Sequence, residues 1–300
     1  YDEKGIDLLL SISKRCIASE DTVRMTCQVL RVITAANGLL TAHSSQLDIG
    51  TTLLLQNDRV IQLLDSVFIS YRAVSSAIMT HCLLIAFYLL KQKGGVVSFS
   101  PAESASLPVR RKLVADLLDV RIIPAICVVL QRHREPRLLR VAFVLLFSLA
   151  SFSDAENGAT LQRVLQELRA NDLLALVMAV VQFLPVNSDA LVSALNLLIL
   201  LCRDDEARKR LYTCDCVVTL RKLLYLPNTP IDTQELCLSL LSRLSALMGE
   251  REGGDEQILS QVILDNGLLP VIVSLIQKNL EDPGMVLCGL ACLNYLAYPS

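Results

Sequence analysis

Hydrophobic positions near the end of the chain return with a helical beat. Leu268, Ile272, Leu275 and Ile276 stand at i, i+4, i+7 and i+8, which places them on one face of a helix. Pro270 falls in the first turn of that helix, where a missing N–H costs little. Glu281-Asp282-Pro283-Gly284 interrupts the pattern, and Met285 to Ala297 then runs apolar nearly all round, as a helix covered on several sides does. The stretch reads helix, turn, helix, with the second helix inside a stack.

The same polar corner and helix start recur upstream, at Asp119-Val120-Arg121-Ile122-Ile123-Pro124, Ala170-Asn171-Asp172-Leu173-Leu174-Ala175 and Thr213-Cys214-Asp215-Cys216-Val217-Val218-Thr219. Superposing Pro124, Ala175, Thr219 and Pro270 gives steps of 51, 44 and 51 residues. Pro136, Pro185, Pro227 with Pro230, and Pro283 each mark the following turn, before apolar helices that open near Arg137, Asp189, Thr233 and Met285. Weaker copies run from Asn57 to Leu90 and from Gly5 to Ala36. At 300 residues a single core has stopped growing, and a small unit repeated at this period predicts an all-α solenoid of about six repeats. Their approximate bounds are 1–48, 49–92, 110–157, 158–207, 208–249 and 254–298, forming one domain with an exposed insertion at 93–109.

Two segments resemble a known repeat family. Asn266-Gly267-Leu268-Leu269-Pro270 and Leu287-Cys288-Gly289-Leu290-Ala291-Cys292-Leu293-Asn294-Tyr295-Leu296-Ala297 are similar to the start and the final helix of an armadillo repeat. Val192-Ser193-Ala194-Leu195-Asn196-Leu197 is a second match, and Val144 to Ala150 a looser one. The rhythm extends over the whole chain; the repeats here are longer than that family's, so HEAT-like units are the rival. The resemblance implies a right-handed superhelical solenoid whose final helices line a concave groove that binds partners. Its groove positions fall on Arg31, about Ile85 or Ala86, Phe147, Asn196, Arg243 and Asn294. An amide there can both donate to and accept from an extended peptide, and Arg31 and Arg243 favour acidic or phosphorylated groups. The groove tryptophans that nuclear-import receptors of the family use have no counterpart, since the chain has no Trp. Alternatively, Asn196 and Asn294 satisfy hydrogen bonds inside the stack and Phe147 belongs to the core.

Composition narrows the class further. Hydrophobic residues make up 53% and charged ones 19%, which excludes disorder over most of the chain. A formal charge of -2 provides no global basic field for nucleic acid. Mean hydropathy is +0.49, yet the longest apolar runs are broken by Gln182, Pro185, Ser193 and Asn196, so no membrane span is expected. Ten cysteines are too dilute for a disulfide scaffold, and a reducing, intracellular location is expected, cytoplasmic or nuclear. Tyr1-Asp2-Glu3-Lys4 does not read as a signal peptide, and the last repeat lacks an obvious polar capping helix; a fragment of a longer protein is expected.

Candidate chemistry is sparse. His43, His81 and His133 follow no metal-ligand spacing, and no phosphate-binding glycine loop or nucleophile elbow occurs. Cys214 and Cys216 at a helix start, and Cys288 with Cys292 one turn apart, read better as small core hydrophobes than as reactive thiols. Asp204-Asp205-Glu206 ahead of Arg208-Lys209-Arg210 reads as a solvated helix start. Ser100-Pro101 in the insertion is a candidate phosphate acceptor, and Gly249 to Glu256 a polar loop. Arg132, Arg134, Arg137 and Arg140, with Arg110-Arg111-Lys112 and Arg121, make the third repeat locally basic. The expected function is therefore that of a non-catalytic protein-interaction scaffold, without cofactor, metal or nucleic-acid partner. A membrane-peripheral or cytoskeletal adaptor using the basic patch is the alternative.

Overall fold

The computed structural model describes residues 3–40, 58–91, 107–154, 158–245 and 265–297. Among them are fifteen helices and no strand, so the fold is all-α, as the periodicity predicts. Contacts divide the chain into two compact units, Tyr1–Asn171 and Asp172–Ser300. The division falls inside the stretch read as the fourth repeat.

The N-terminal unit contains α1 (Glu3–Arg15), α2 (Glu20–Leu40), α3 (Asp58–Tyr71), α4 (Ser76–Lys91), α5 (Leu107–Asp119), α6 (Ile122–Arg132), α7 (Pro136–Asp154) and α8 (Gly158–Ala170). Helices α2, α4 and α7 pack side by side as an inner row, and α1, α3 and α6 form a second row behind them. The C-terminal unit contains α9 (Leu173–Val181), α10 (Asp189–Leu201), α11 (Asp205–Thr213), α12 (Cys216–Tyr225), α13 (Ile231–Ser245), α14 (Leu268–Lys278) and α15 (Pro283–Ala297). Here α10, α13 and α15 form the inner row, and α12 and α14 pack together behind it.

Three helices, rather than the two read from the pattern, make up a full module: a leading helix such as α5 or α11, then an outer helix such as α6 or α12, then an inner one such as α7 or α13. The leading helices are harder to read: the start of α11 is visible in its acidic-then-basic run, but little apolar periodicity marks the helix that follows. In α11, Leu211 and Ala207 are buried, while Lys209 and Arg210 are exposed.

The polar corners ahead of the outer helices have a specific geometry. Arg121, Asp172, Asp215 and Gly267 all adopt the left-handed conformation, at φ 55, 48, 55 and 63°. That conformation turns the chain sharply and releases it into the next helix. Aligned on this residue, Pro124, Ala175 and Pro270 match Val218, so the superposition on Thr219 is off by one. Side chains do the capping elsewhere. Ser188 accepts from Ala190 N (3.1 Å) ahead of α10, and Asp204 accepts from Ala207 N (3.0 Å) ahead of α11. Asp282 accepts from Gly284 N (3.0 Å) and Met285 N (3.1 Å), so Pro283 opens α15 as its first residue rather than merely breaking the chain.

Burial explains the near-continuous apolar runs. On α4, Ile78, Met79, Cys82, Leu83, Ile85, Ala86, Leu89 and Leu90 are all buried, since the helix is flanked by α2 on one side and α7 on the other. Each such leucine removed from water contributes about 1.5–3 kcal/mol. On α4 only a narrow strip is left facing outward, whereas α2, with one inner-row neighbour, also exposes Met25, Val29 and Val32. Of the predicted insertion, 93–106 lies outside the described residues, and 107–109 is the first turn of α5 rather than loop. Ser100-Pro101 and the loop Gly249 to Glu256 also lie outside the described residues.

Candidate protein-interaction surface

The outward strips of the inner helices are where predicted site residues can meet a partner. On α7 the strip is Arg137, Arg140, Val144 and Phe147, spaced i, i+3, i+7 and i+10. Phe147 is 38% exposed, so it is surface rather than core, and it shares its face with two arginines of the basic patch. On α4 the strip is Thr80, His81, Leu84, Phe87 and Tyr88, all half-buried, with the Phe87 and Tyr88 rings 5.6 Å apart. Ile85 and Ala86, the predicted groove position of this repeat, are fully buried in the core instead. The offset arises because α4 is rotated to bury them against its neighbours. On α2 the strip carries exposed Arg24 and Gln28 and half-buried Arg31.

Electrostatics concentrate on the α2–α4 pair. Cys27 and Cys82 meet at 3.5 Å between their sulfurs, which sets the register of the two helices. Arg24 and Arg31 lie one turn before and one turn after Cys27 on the same face, and His81 precedes Cys82. Burial, and then the charges of Arg31 and Arg24, hold the His81 imidazole below its ordinary value. Its Nδ1 is buried with no hydrogen-bond partner among the described residues. Along the chain His81 reads only as a candidate metal ligand without the right spacing; nothing in its position points to arginines some fifty residues away.

All four arginines of the basic patch are exposed. They divide by role. Arg134 Nη1 donates to the carbonyls of Leu130 (2.6 Å) and His133 (3.1 Å), so it caps the C-terminus of α6, where a cation also answers the helix dipole. Arg132 stands at the same turn, while Arg137 and Arg140 project from the α7 strip. Nearby, Ser76 donates to Glu135 (2.6 Å), and His133 Nε2 lies 3.1 Å from the Arg72 carbonyl.

In the C-terminal unit the strips are different in kind. Asn196 is half-buried on α10 and its amide donates to the Val192 carbonyl at 2.9 Å, a bond within its own helix. Arg243 is exposed on α13 and Asn294 on α15, the latter in line with exposed Leu287 and Leu290. A buried charge also lies here that pattern reading missed. The Arg208 side chain is only 8% exposed, pairs through Nη2 with Asp205, and leaves Nη1 without a partner among the described residues, as is the Tyr212 hydroxyl one turn on. The Arg-Lys-Arg run around it reads as solvent-facing, and only the packing of α11 decides which arginine turns inward.

Seven of the ten cysteines are buried in the core, Cys214 and Cys288 are half-buried, and Cys16 is exposed. Burial pushes the thiols of Cys127, Cys202, Cys237 and Cys292 up to about 12, and raises Cys216 and Cys214 as well, so the helix start does not activate that pair. Among the described residues, no cluster of three or more His, Cys, Asp or Glu is placed to hold a metal ion, and no helix is long and apolar enough to cross a membrane.

No protein-family model and no curated protein matches the chain. Among solved structures, one described as "A conserved phosphorylation switch controls the interaction between cadherin and beta-catenin in vitro and in vivo" is similar at a TM-score of 0.48 and 11% identity. The match covers 96% of this chain and 68% of that one.

Proposed function

We propose that this chain is a non-catalytic protein-interaction scaffold, an armadillo-like solenoid of about six repeats, that docks an extended acidic or phosphorylated protein segment on the strips of its inner helices. The observation that carries this reading is the α7 strip, where Arg137 and Arg140 stand in line with exposed Phe147. A guanidinium pairs with carboxylate or phosphate in bidentate fashion, and a neighbouring aromatic ring supplies the apolar anchor that such contacts need. Arg31 extends the cationic character to α2, while Asn196, Arg243 and Asn294 offer polar contacts in the C-terminal unit. No cofactor is needed for such a role, and a cytoplasmic or nuclear setting suits it.

The test is affinity capture from native lysate with the wild-type chain and an Arg137→Ala, Arg140→Ala, Phe147→Ala variant of equal helicity. Partners lost only by the variant support the reading, and partners retained by both overturn it. Exposed Arg132, Arg134, Arg137 and Arg140 also favour a second reading, a membrane-peripheral adaptor. Sedimentation with anionic vesicles that disappears when Arg132, Arg137 and Arg140 are neutralised would select that one.

A further inference from the structure

Outside the α7 strip, the Cys27–Cys82 contact sets the stretch of α2 that carries Arg24 and Arg31 beside the turn of α4 that carries His81. Arg24 and Arg31 lie on the face of α2 that carries Cys27, about 10 Å apart along the helix axis, so their long side chains straddle the level at which α4 presents His81. We infer that Arg24, Arg31 and His81 form a phosphate-binding subsite on the α2–α4 face, built to hold a phosphate monoester on a partner segment. This rests on the scaffold reading and specifies one chemical group within it.

Charge favours phosphate over carboxylate here. Two guanidinium forks and an imidazole ring offer more donors than one carboxylate can accept, whereas a phosphate monoester brings three acceptor oxygens and close to two negative charges. Arg24 is paired with Asp21 at 2.9 Å, but that carboxylate is 86% exposed. Exposed pairs of this kind contribute little, so Arg24 can turn to a ligand at small cost. His81 Nδ1 has no hydrogen-bond partner among the described residues, a state that buried polar atoms rarely keep when a partner is in reach.

The charged groups disposed around His81 are Arg24 and Arg31 of α2, with Asp21 on Arg24. On the α7 side, Glu135 is held by Ser76 one turn away, and Arg137 and Arg140 lie on the outward strip. In the free protein the two arginines and burial disfavour the imidazolium. A bound dianion reverses that balance, so ligand and proton bind together.

The experiment follows the His81 ring resonances by NMR in the full chain while inorganic phosphate, phosphoserine or acetate is added. His133, held at the Arg72 carbonyl, is the internal reference. Phosphate and phosphoserine are expected to move the His81 titration midpoint upward by about one unit or more, acetate by much less, and Arg31→Gln to abolish the shift. An Arg31→Lys variant guards against misfolding, since it should retain part of the response. A His81 midpoint indifferent to phosphate overturns the subsite, as does an equal response to acetate or a full response in Arg31→Gln. If the midpoint moves while the α7 variant still captures every partner, the subsite stands and the scaffold reading fails; the reverse pair of results removes only the subsite.

Discussion

The two compact units are built from the same module yet present opposite surfaces. In the N-terminal unit the inner-row strips carry Arg24, Arg31, His81, Arg137 and Arg140 beside Phe147. In the C-terminal unit they carry Ser193, Asn196, Ser239, Ser242, Leu287, Leu290 and Asn294, with Arg243 as a cation and Glu235 as an anion. Similar packing demands explain the common module: an inner helix flanked on both sides, such as α4 or α13, buries two sides and leaves one strip whose residues the fold does not dictate. Chemistry is therefore free to differ where packing is indifferent, and most of the cationic side chains of the strips stand in the N-terminal unit.

The interiors differ too, and the largest expected effect lies there. Phe68 and Phe143 are fully buried in the N-terminal unit, whereas Phe183 in the C-terminal unit is 71% exposed. Phe143→Ala should destabilise by about 3–5 kcal/mol, and Leu195→Ala on α10 by about 2–5 kcal/mol. Hydrogen exchange read helix by helix checks whether each loss stays within its own unit. Spread across both units would break the comparison.

Charge reversal comes next. Arg140→Glu should weaken binding of an acidic or phosphorylated partner by about tenfold or more, near 1.4 kcal/mol, and Arg243→Glu by less than about threefold. Isothermal titration at two salt concentrations measures both, and equal losses would remove the distinction between the strips.

Alkaline stability should separate the units in a second way. Cys202, Cys237 and Cys292 of the C-terminal unit are pushed up to about 12 and Cys216 is raised, against Cys127 at about 12 and a raised Cys82 in the N-terminal unit. An unfolded thiol loses its proton near about 8.5, so the stabilisation from keeping these thiols neutral is complete below that pH and is lost as pH rises toward 12. The C-terminal unit should soften first in a circular dichroism and hydrogen-exchange series from pH 8 to 11. His81 acts at the other end: with its folded value depressed, its contribution is present above about 6.5 and is lost as pH falls below that, in the N-terminal unit alone.

The smallest effects lie at the left-handed corners. Arg121→Gly should stabilise by up to about 1 kcal/mol, because glycine relieves the strain of φ 55°, and Gly267→Ala should destabilise by a similar amount. Thermal unfolding of the two variants sharpens the claim that the corners are equivalent across units.

Much of this fold is legible along the chain. Period, proline punctuation and polar corners locate the outer and inner helices, and the acidic cap at Asp204 is readable from its neighbours. The leading helices α5 and α8 are less so, because a short helix with one thin apolar face looks like a polar connection. Of the positions assigned to the groove, Phe147, Arg243 and Asn294 are exposed, Arg31 and Asn196 are half-buried, and Ile85 and Ala86 are core. Which face of α4 is covered is set by α2 and α7 packing on either side of it, which no local pattern encodes.

What the sequence determines by itself is what local physics determines: helical periodicity, caps, breaks, and a supply of aliphatic residues that must be buried. Which arginine turns inward, as Arg208 does, and which histidine comes under the charges of two distant arginines, as His81 does, were decided only by the tertiary structure. Those outcomes depend on the register and rotation of helices far apart in the chain, fixed by side-chain packing such as Cys27 against Cys82.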